Sequence, residues 1–225
     1  MKIKSAFLFV LAAVFLCANA AYPVSESQEK IWQGDKYMEK KQYELAVKEY
    51  KQAVRLNPES EEGYYKLGTA YFELAYKNSD YAASTEDRFT DARDCFKKVI
   101  ELNPMNMEAY NDIGASYGVL GHHKEAIPYF ERAIKVNPED VNAYSNIGAA
   151  YNSLHQPDKA IPYLEKAIEV NPEFWKSYKN LGDSYYYKGN NRKAKEYYIK
   201  AKELMGDAGY DVDRKIIDQH IKKMH

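Results

Sequence analysis

The chain has 225 residues, 29% charged and 45% hydrophobic, with a formal net charge of −1. That size and balance fit one or two folded domains. A charge so close to neutral excludes a chain built to hold a polyanion, and so argues against a nucleic-acid partner.

The first twenty residues differ from the rest. Two early lysines precede the apolar run "AFLFVLAAVFL", and "ANA" closes it with small residues. This is the layout of a secretory signal peptide cut after Ala20. The run is shorter than the roughly 20 residues that a spanning helix needs, which argues against an uncleaved anchor. Cys17 raises lipid attachment, but the "VFL" before it lacks a small residue. Cleavage would remove two lysines and no acids, taking the mature net charge to −3. Cys95 would then be the sole cysteine and is expected to pack as a small apolar side chain. The expected location is the periplasm, with full secretion as the alternative.

After a linker at 21–26 the chain repeats itself. Gly34, Gly68, Gly114, Gly148 and Gly182 are spaced 34, 46, 34 and 34 apart, and Pro58, Pro104, Pro138 and Pro172 follow the same rhythm. The period is 34, with a 12-residue insertion in the second unit. The units are 27–60, 61–106, 107–140, 141–174 and 175–208. Each predicts two helices. In the third unit Tyr110, Ile113, Gly114 and Tyr117 mark one face of the first helix, and Ala126, Phe130 and Ala133 one face of the second. An "NP" pair then stops the second helix in units one to four, because proline cannot continue the ladder and disfavours helix before it. Pro128 and Pro162, one turn into their helices, should bend them slightly. The insertion carries "STED", which predicts a capped start to a lengthened second helix and a protruding hairpin tip. The segment 209–225 reads as a polar-faced helix that shields the last unit.

These motifs resemble the tetratricopeptide repeat family over about residues 27–208. Tyr144, Ile147, Gly148, Tyr151, Ala160, Leu164, Ala167 and Pro172 stand at its signature positions. The first unit departs, with Lys30 and Gln33 where an aromatic and a leucine are usual. The resemblance implies an all-α, right-handed solenoid of five helical hairpins plus a C-terminal capping helix, with the first helices lining a concave groove.

One groove-facing stretch stands out. In "VNAYSNIGAAYNSL", residues 141–154, the face opposite Tyr144 and Ile147 carries Asn142, Ser145, Asn146, Ala149, Asn152 and Ser153. Asn and Ser are mediocre helix formers, so a plain solvated face would be better served by Glu and Lys. A side-chain amide both donates and accepts, matching the alternating groups of an extended peptide. Unit three would add Asn111, Asp112, Ala115 and Gly118. Unit five would add Lys176, Lys179, Asn180, Asp183, Tyr186 and Tyr187, with Trp32 and Phe72 at the other end. The expected site is therefore Asn111, Ala115, Asn142, Asn146, Ala149, Asn152, Lys176, Lys179, Asn180 and Tyr186. The competing reading is a solvated concave surface, or one filled by a neighbouring segment. Some members of the family clamp a terminal carboxylate with Lys, Asn, Asn, Lys and Arg. Here only Asn146 and Lys176 match that set, so a full clamp is not expected.

No catalytic or metal constellation emerges. His122 and His123 are adjacent in a turn, without the i, i+4 spacing of a helical metal site, and no phosphate loop is present. No cofactor is expected. Unit five holds eight Lys or Arg against three acids between Trp175 and Gly206. In an exported chain that surplus points to an acidic protein, an anionic lipid surface or a cell-wall polymer, or simply to a solvated helix face. The reading is an exported, non-enzymatic scaffold that binds a protein segment, with self-association open. The alternative is an envelope protein for a small ligand or polymer, serving a transporter or enzyme complex.

Overall fold

The computed structural model describes residues 24–77, 82–206 and 211–224. The predicted signal peptide, with Cys17, lies outside them. Eleven helices are present among the described residues. They pair as α1 (Glu26–Glu39) with α2 (Tyr43–Leu56), α3 (Glu61–Lys77) with α4 (Ala82–Leu102), and α5 (Met107–Val119) with α6 (His123–Val136). The series continues with α7 (Val141–Ser153) and α8 (Pro157–Val170), α9 (Trp175–Tyr187) and α10 (Asn191–Met205), and ends in α11 (Asp211–Lys223). The expected α-solenoid is the observed architecture. First helices touch from unit to unit while second helices scarcely do, so the stack curves with the first helices inside.

Each hairpin closes on a glycine. A methyl group added at Gly114 would meet the Phe130 ring at 2.6 Å, and one at Gly182 would meet Tyr198 at 2.6 Å. The same pairing recurs as Gly34 with Tyr50, Gly68 with Phe96 and Gly148 with Leu164. The large side chain from the second helix thus lies directly on first-helix backbone, and Ala126 and Ala133 beside it are fully buried.

The turns repeat too. Lys41, Gly121, His155 and Gly189, one per hairpin in units one, three, four and five, all have positive φ. After the second helix, the asparagine of each "NP" folds its side chain back onto the amide two residues on. Asn57 accepts from the N–H of Glu59 at 3.2 Å, Asn103 from Met105 at 3.0 Å, Asn137 from Glu139 at 3.0 Å and Asn171 from Glu173 at 2.9 Å. Asparagine therefore initiates the turn that proline then fixes.

Both ends are closed. At the first unit, Lys30 pairs with Glu49 at 2.9 Å and donates to Gln33 at 3.1 Å, so the departures from the family pattern give a polar outer face. At the other end α11 buries Ile217 completely, and His220 Nδ1 lies 3.1 Å from the Tyr198 hydroxyl. The insertion lengthens both helices of unit two and packs Phe89 edge-on against Phe72, with centroids 5.2 Å apart. Its "STED" run lies inside α4, which already begins at Ala82, so it does not mark the helix start. The tip at 78–81 lies outside the described residues.

Gly114 and Gly118 sit one turn apart in α5 but face opposite constraints, since a side-chain carbon at Gly118 would meet nothing within 4 Å. Gly114→Ala is expected to lower unfolding free energy by about 1–3 kcal/mol through overpacking. Gly118→Ala is expected to raise it by about 0.5–1 kcal/mol through helix propensity. Urea unfolding of the two variants checks both signs.

Candidate functional site

The first helices are joined differently at each step along the groove. Between α1 and α3 the joint is ionic: Lys66 reaches both oxygens of Asp35 at 2.8 and 2.9 Å, and Tyr50 donates to the same carboxylate at 2.6 Å. Between α3 and α5 the Tyr65 hydroxyl bonds to Asp112. Burial pushes the Asp112 carboxyl up to about 6, against that hydrogen bond, and the negative charge of Glu108 adds to the rise.

Between α7 and α9 the joint is a strut of amides and hydroxyls. Asn152 donates to the backbone oxygen of Asn180 at 2.7 Å and accepts from Ser184 at 2.7 Å. Asn180 in turn donates to the oxygens of Ser145 at 3.4 and 3.3 Å. Asn152 is only 4% exposed, with both ends of its amide occupied. It belongs to the scaffold and not to the exposed groove, which corrects its expected role.

Three further site residues are also engaged. Tyr186 stacks on His220 of α11 at 5.7 Å and so helps seat the capping helix, where an open groove end was expected. Lys179 is paired with Asp183 at 3.0 Å. Asn111 donates to Asp140 at 2.5 Å, holding the carboxylate that caps α7 through the amides of Asn142 and Ala143.

Three of the remaining residues, Ala115, Asn146 and Ala149, come together between α5 and α7, away from that strut. Between α5 and α7 lies an open cavity of about 300 Å³ lined by Ala115, Gly118, Val119, His123, Ala126, Phe130, Asn146, Ala149, Ala150 and Ser153. Small side chains on both helices leave the gap. Val119, at its rim, is 50% exposed. The side chains of Asn142 and Asn146 make no hydrogen bond among the described residues, and Lys176 is exposed on α9. Of the ten expected residues, Ala115, Asn146 and Ala149 line the cavity, with Asn142 nearby on the same helix. Phe130 and His123, from the second helix, were not anticipated. The first-helix pattern could not reveal them, although Phe130 sits opposite Gly114, so α6 approaches there.

Elsewhere the surface offers less chemistry. A hollow of about 680 Å³ lies among Pro138, Glu139, Val141, Tyr144, Lys166, Glu169, Val170 and Asn171, rimmed by the Lys166–Glu169 ion pair. Among the described residues no three His, Cys, Asp or Glu side chains converge on a metal-sized point. Burial pushes the Cys95 thiol up to about 12, so it is a poor nucleophile at neutral pH. Much of the basic surplus of unit five is neutralised locally, with Lys188 bound to Asp158, Arg192 to Glu196, Lys200 to Glu203 and Lys202 to Asp218. Among the described residues no helix is long and apolar enough to cross a membrane.

Comparisons with known proteins agree with this architecture. Family models described as tetratricopeptide repeat match residues 62–104, 108–140, 141–174 and 176–204, and one described as TPR repeat matches 34–74. A crystal structure of MamA is 30% identical over 76% of this chain and 94% of its own, with a TM-score of 0.65. MamA from residue 41 to its end, from Desulfovibrio magneticus RS-1, is 25% identical over 82% of this chain and 99% of its own, with a TM-score of 0.69. YrrB, described as a TPR protein with an unusual peptide-binding site, shares the fold at 22% identity, 89% and 99% coverage and a TM-score of 0.61. No curated protein sequence matches the chain.

The two uses of asparagine are separable by stability. Asn152→Ala is expected to cost about 1–3 kcal/mol, because it strands buried partners on α9. Asn142→Ala and Asn146→Ala are expected to stay within about 0.5 kcal/mol of the parent. Thermal and urea unfolding of the three variants gives the comparison.

Proposed function

The chain belongs to the tetratricopeptide repeat family, and from that premise we propose that it is an exported, non-enzymatic scaffold holding an extended segment of a partner protein in its groove. The observation that carries the reading is the cavity between α5 and α7, flanked by unengaged amides. At the α5–α7 joint the polar contact, Asn111 to Asp140, lies at the start of α7. Further along the two helices Ala115, Gly118 and Ala149 leave a gap with Phe130 as its floor. An apolar side chain of a bound segment fits such a gap, while Asn142 and Asn146 can donate to and accept from its backbone. Peptides that lie across repeat arrays use their concave surfaces in this way. The signal-like residues 1–20 support export, and in that reading the scaffold acts in the periplasm.

The decisive comparison is affinity capture from a cell-envelope extract by the parent protein and by the Asn146→Leu, Ala149→Arg variant, after circular dichroism shows that both are folded. A partner retained by the parent is expected to be lost, with binding weakened about tenfold or more, as for a central anchor. Equal retention by the two proteins would move the contact away from this cavity.

A further inference from the structure

The second residue of each inner helix from unit two onward forms a charge series across the groove: Glu62 on α3, Glu108 on α5, Asn142 on α7 and Lys176 on α9. Glu62 and Glu108 have a local reason to be there, since the first turn of a helix favours acids. Lys176 does not. A cation in the first turn opposes the helix dipole by about 0.3–1 kcal/mol. The start of α9 also lacks a side-chain cap, because Phe174 stands where Ser60, Asn106 and Asp140 serve the earlier inner helices. No carboxylate pairs with Lys176 among the described residues. Its ammonium rests 5.9 Å from the Trp175 ring. Local rules that fail together in one place mark positions set by something other than folding.

Resting on the groove reading above, we propose that the site selects its partner by charge order. Glu62 is already paired with Lys66 at 3.8 Å, so the bound segment places a cationic side chain against Glu108, an apolar side chain in the cavity between α5 and α7, and an acidic side chain on Lys176.

Elementary geometry fixes the spacing. Packed helices lie about 10 Å apart, and an extended chain advances about 3.3 Å per residue, so roughly three residues cross each inner helix. The step from Glu108 to Lys176 spans two helices, or about six residues. An even separation puts both charged side chains on the same side of the strand. The cavity lies toward the opposite ends of the helices, at Gly118 and Ala149, so the apolar residue must point to the other side. It therefore sits at an odd offset between the two charges.

The test is selection from a random nine-residue peptide display library on the immobilised protein, in parallel with Lys176→Glu and Gly118→Leu. Both variants are compatible with the fold: a glutamate suits a helix start, and a side chain at Gly118 has open space to enter. Peptides from the parent are expected to carry a cation and an acid about six positions apart with an apolar residue between them, and to bind Lys176→Glu at least about tenfold more weakly. Selection on Lys176→Glu is expected to return peptides cationic at both ends. Peptides that Gly118→Leu excludes, but that show no ordered charges, would overturn the charge-order proposal and leave the groove reading standing. Peptides that Gly118→Leu does not affect, or no recovered peptide at all, would overturn both.

Discussion

The close seating of a large side chain on a glycine backbone is the contact that the rest of the molecule depends on. It occurs once in each hairpin, as Gly34 with Tyr50 and Gly182 with Tyr198 at the two extremes. A contact that leaves no room for a single methyl group fixes how near the two helices lie and how they are rotated about their axes. That rotation leaves the alanines of the second helix buried and turns the other face of the first helix inward. The groove is therefore a consequence of the hairpin joint repeated along the chain, and no separate element builds it.

Repetition of the joint within units does not make the joints between units alike. The inner helices of the first two units are tied by an ion pair, the next step by a tyrosine and a buried carboxyl, and α7 to α9 by an amide and hydroxyl strut. Asp112 carries a cost for its place, because its carboxyl is held up near 6 by burial. These contacts fasten most of the inner surface to itself. Between α5 and α7 the polar contact is the Asn111–Asp140 bond at the start of α7, and the small residues beyond it leave the inner surface open. The solenoid is uniform in architecture and uneven in what its surface has left to offer.

Much of this was legible in the sequence. The 34-residue period, the insertion and the "NP" stops depend on one chain segment at a time, and they gave the hairpins and their order. The site was legible only in part. Asn142, Asn146 and Asn152 share one face of α7 by helical spacing, and nothing within that helix separates them. What separates them is α9, which brings Ser184 and Asn180 against Asn152 and leaves the other two alone. Tyr186 is engaged in the same way, by His220 on α11, whereas the partner of Lys179 is Asp183 four residues on in the same helix, a pairing that helical spacing alone predicts. A face read from periodicity shows which side chains point inward. Whether Asn111, Asn152 and Tyr186 remain free depends on neighbours that are 28 or more residues distant.

The most direct measurement is nuclear magnetic resonance of the protein with its asparagine side-chain amides labelled, titrated with a peptide from a partner obtained by capture. The account predicts that the Asn142 and Asn146 side-chain amides shift as peptide is added, while that of Asn152, locked between Asn180 and Ser184, stays in place. Shifts confined to the outer helices α8 and α10, with Asn142 and Asn146 unmoved, would contradict it.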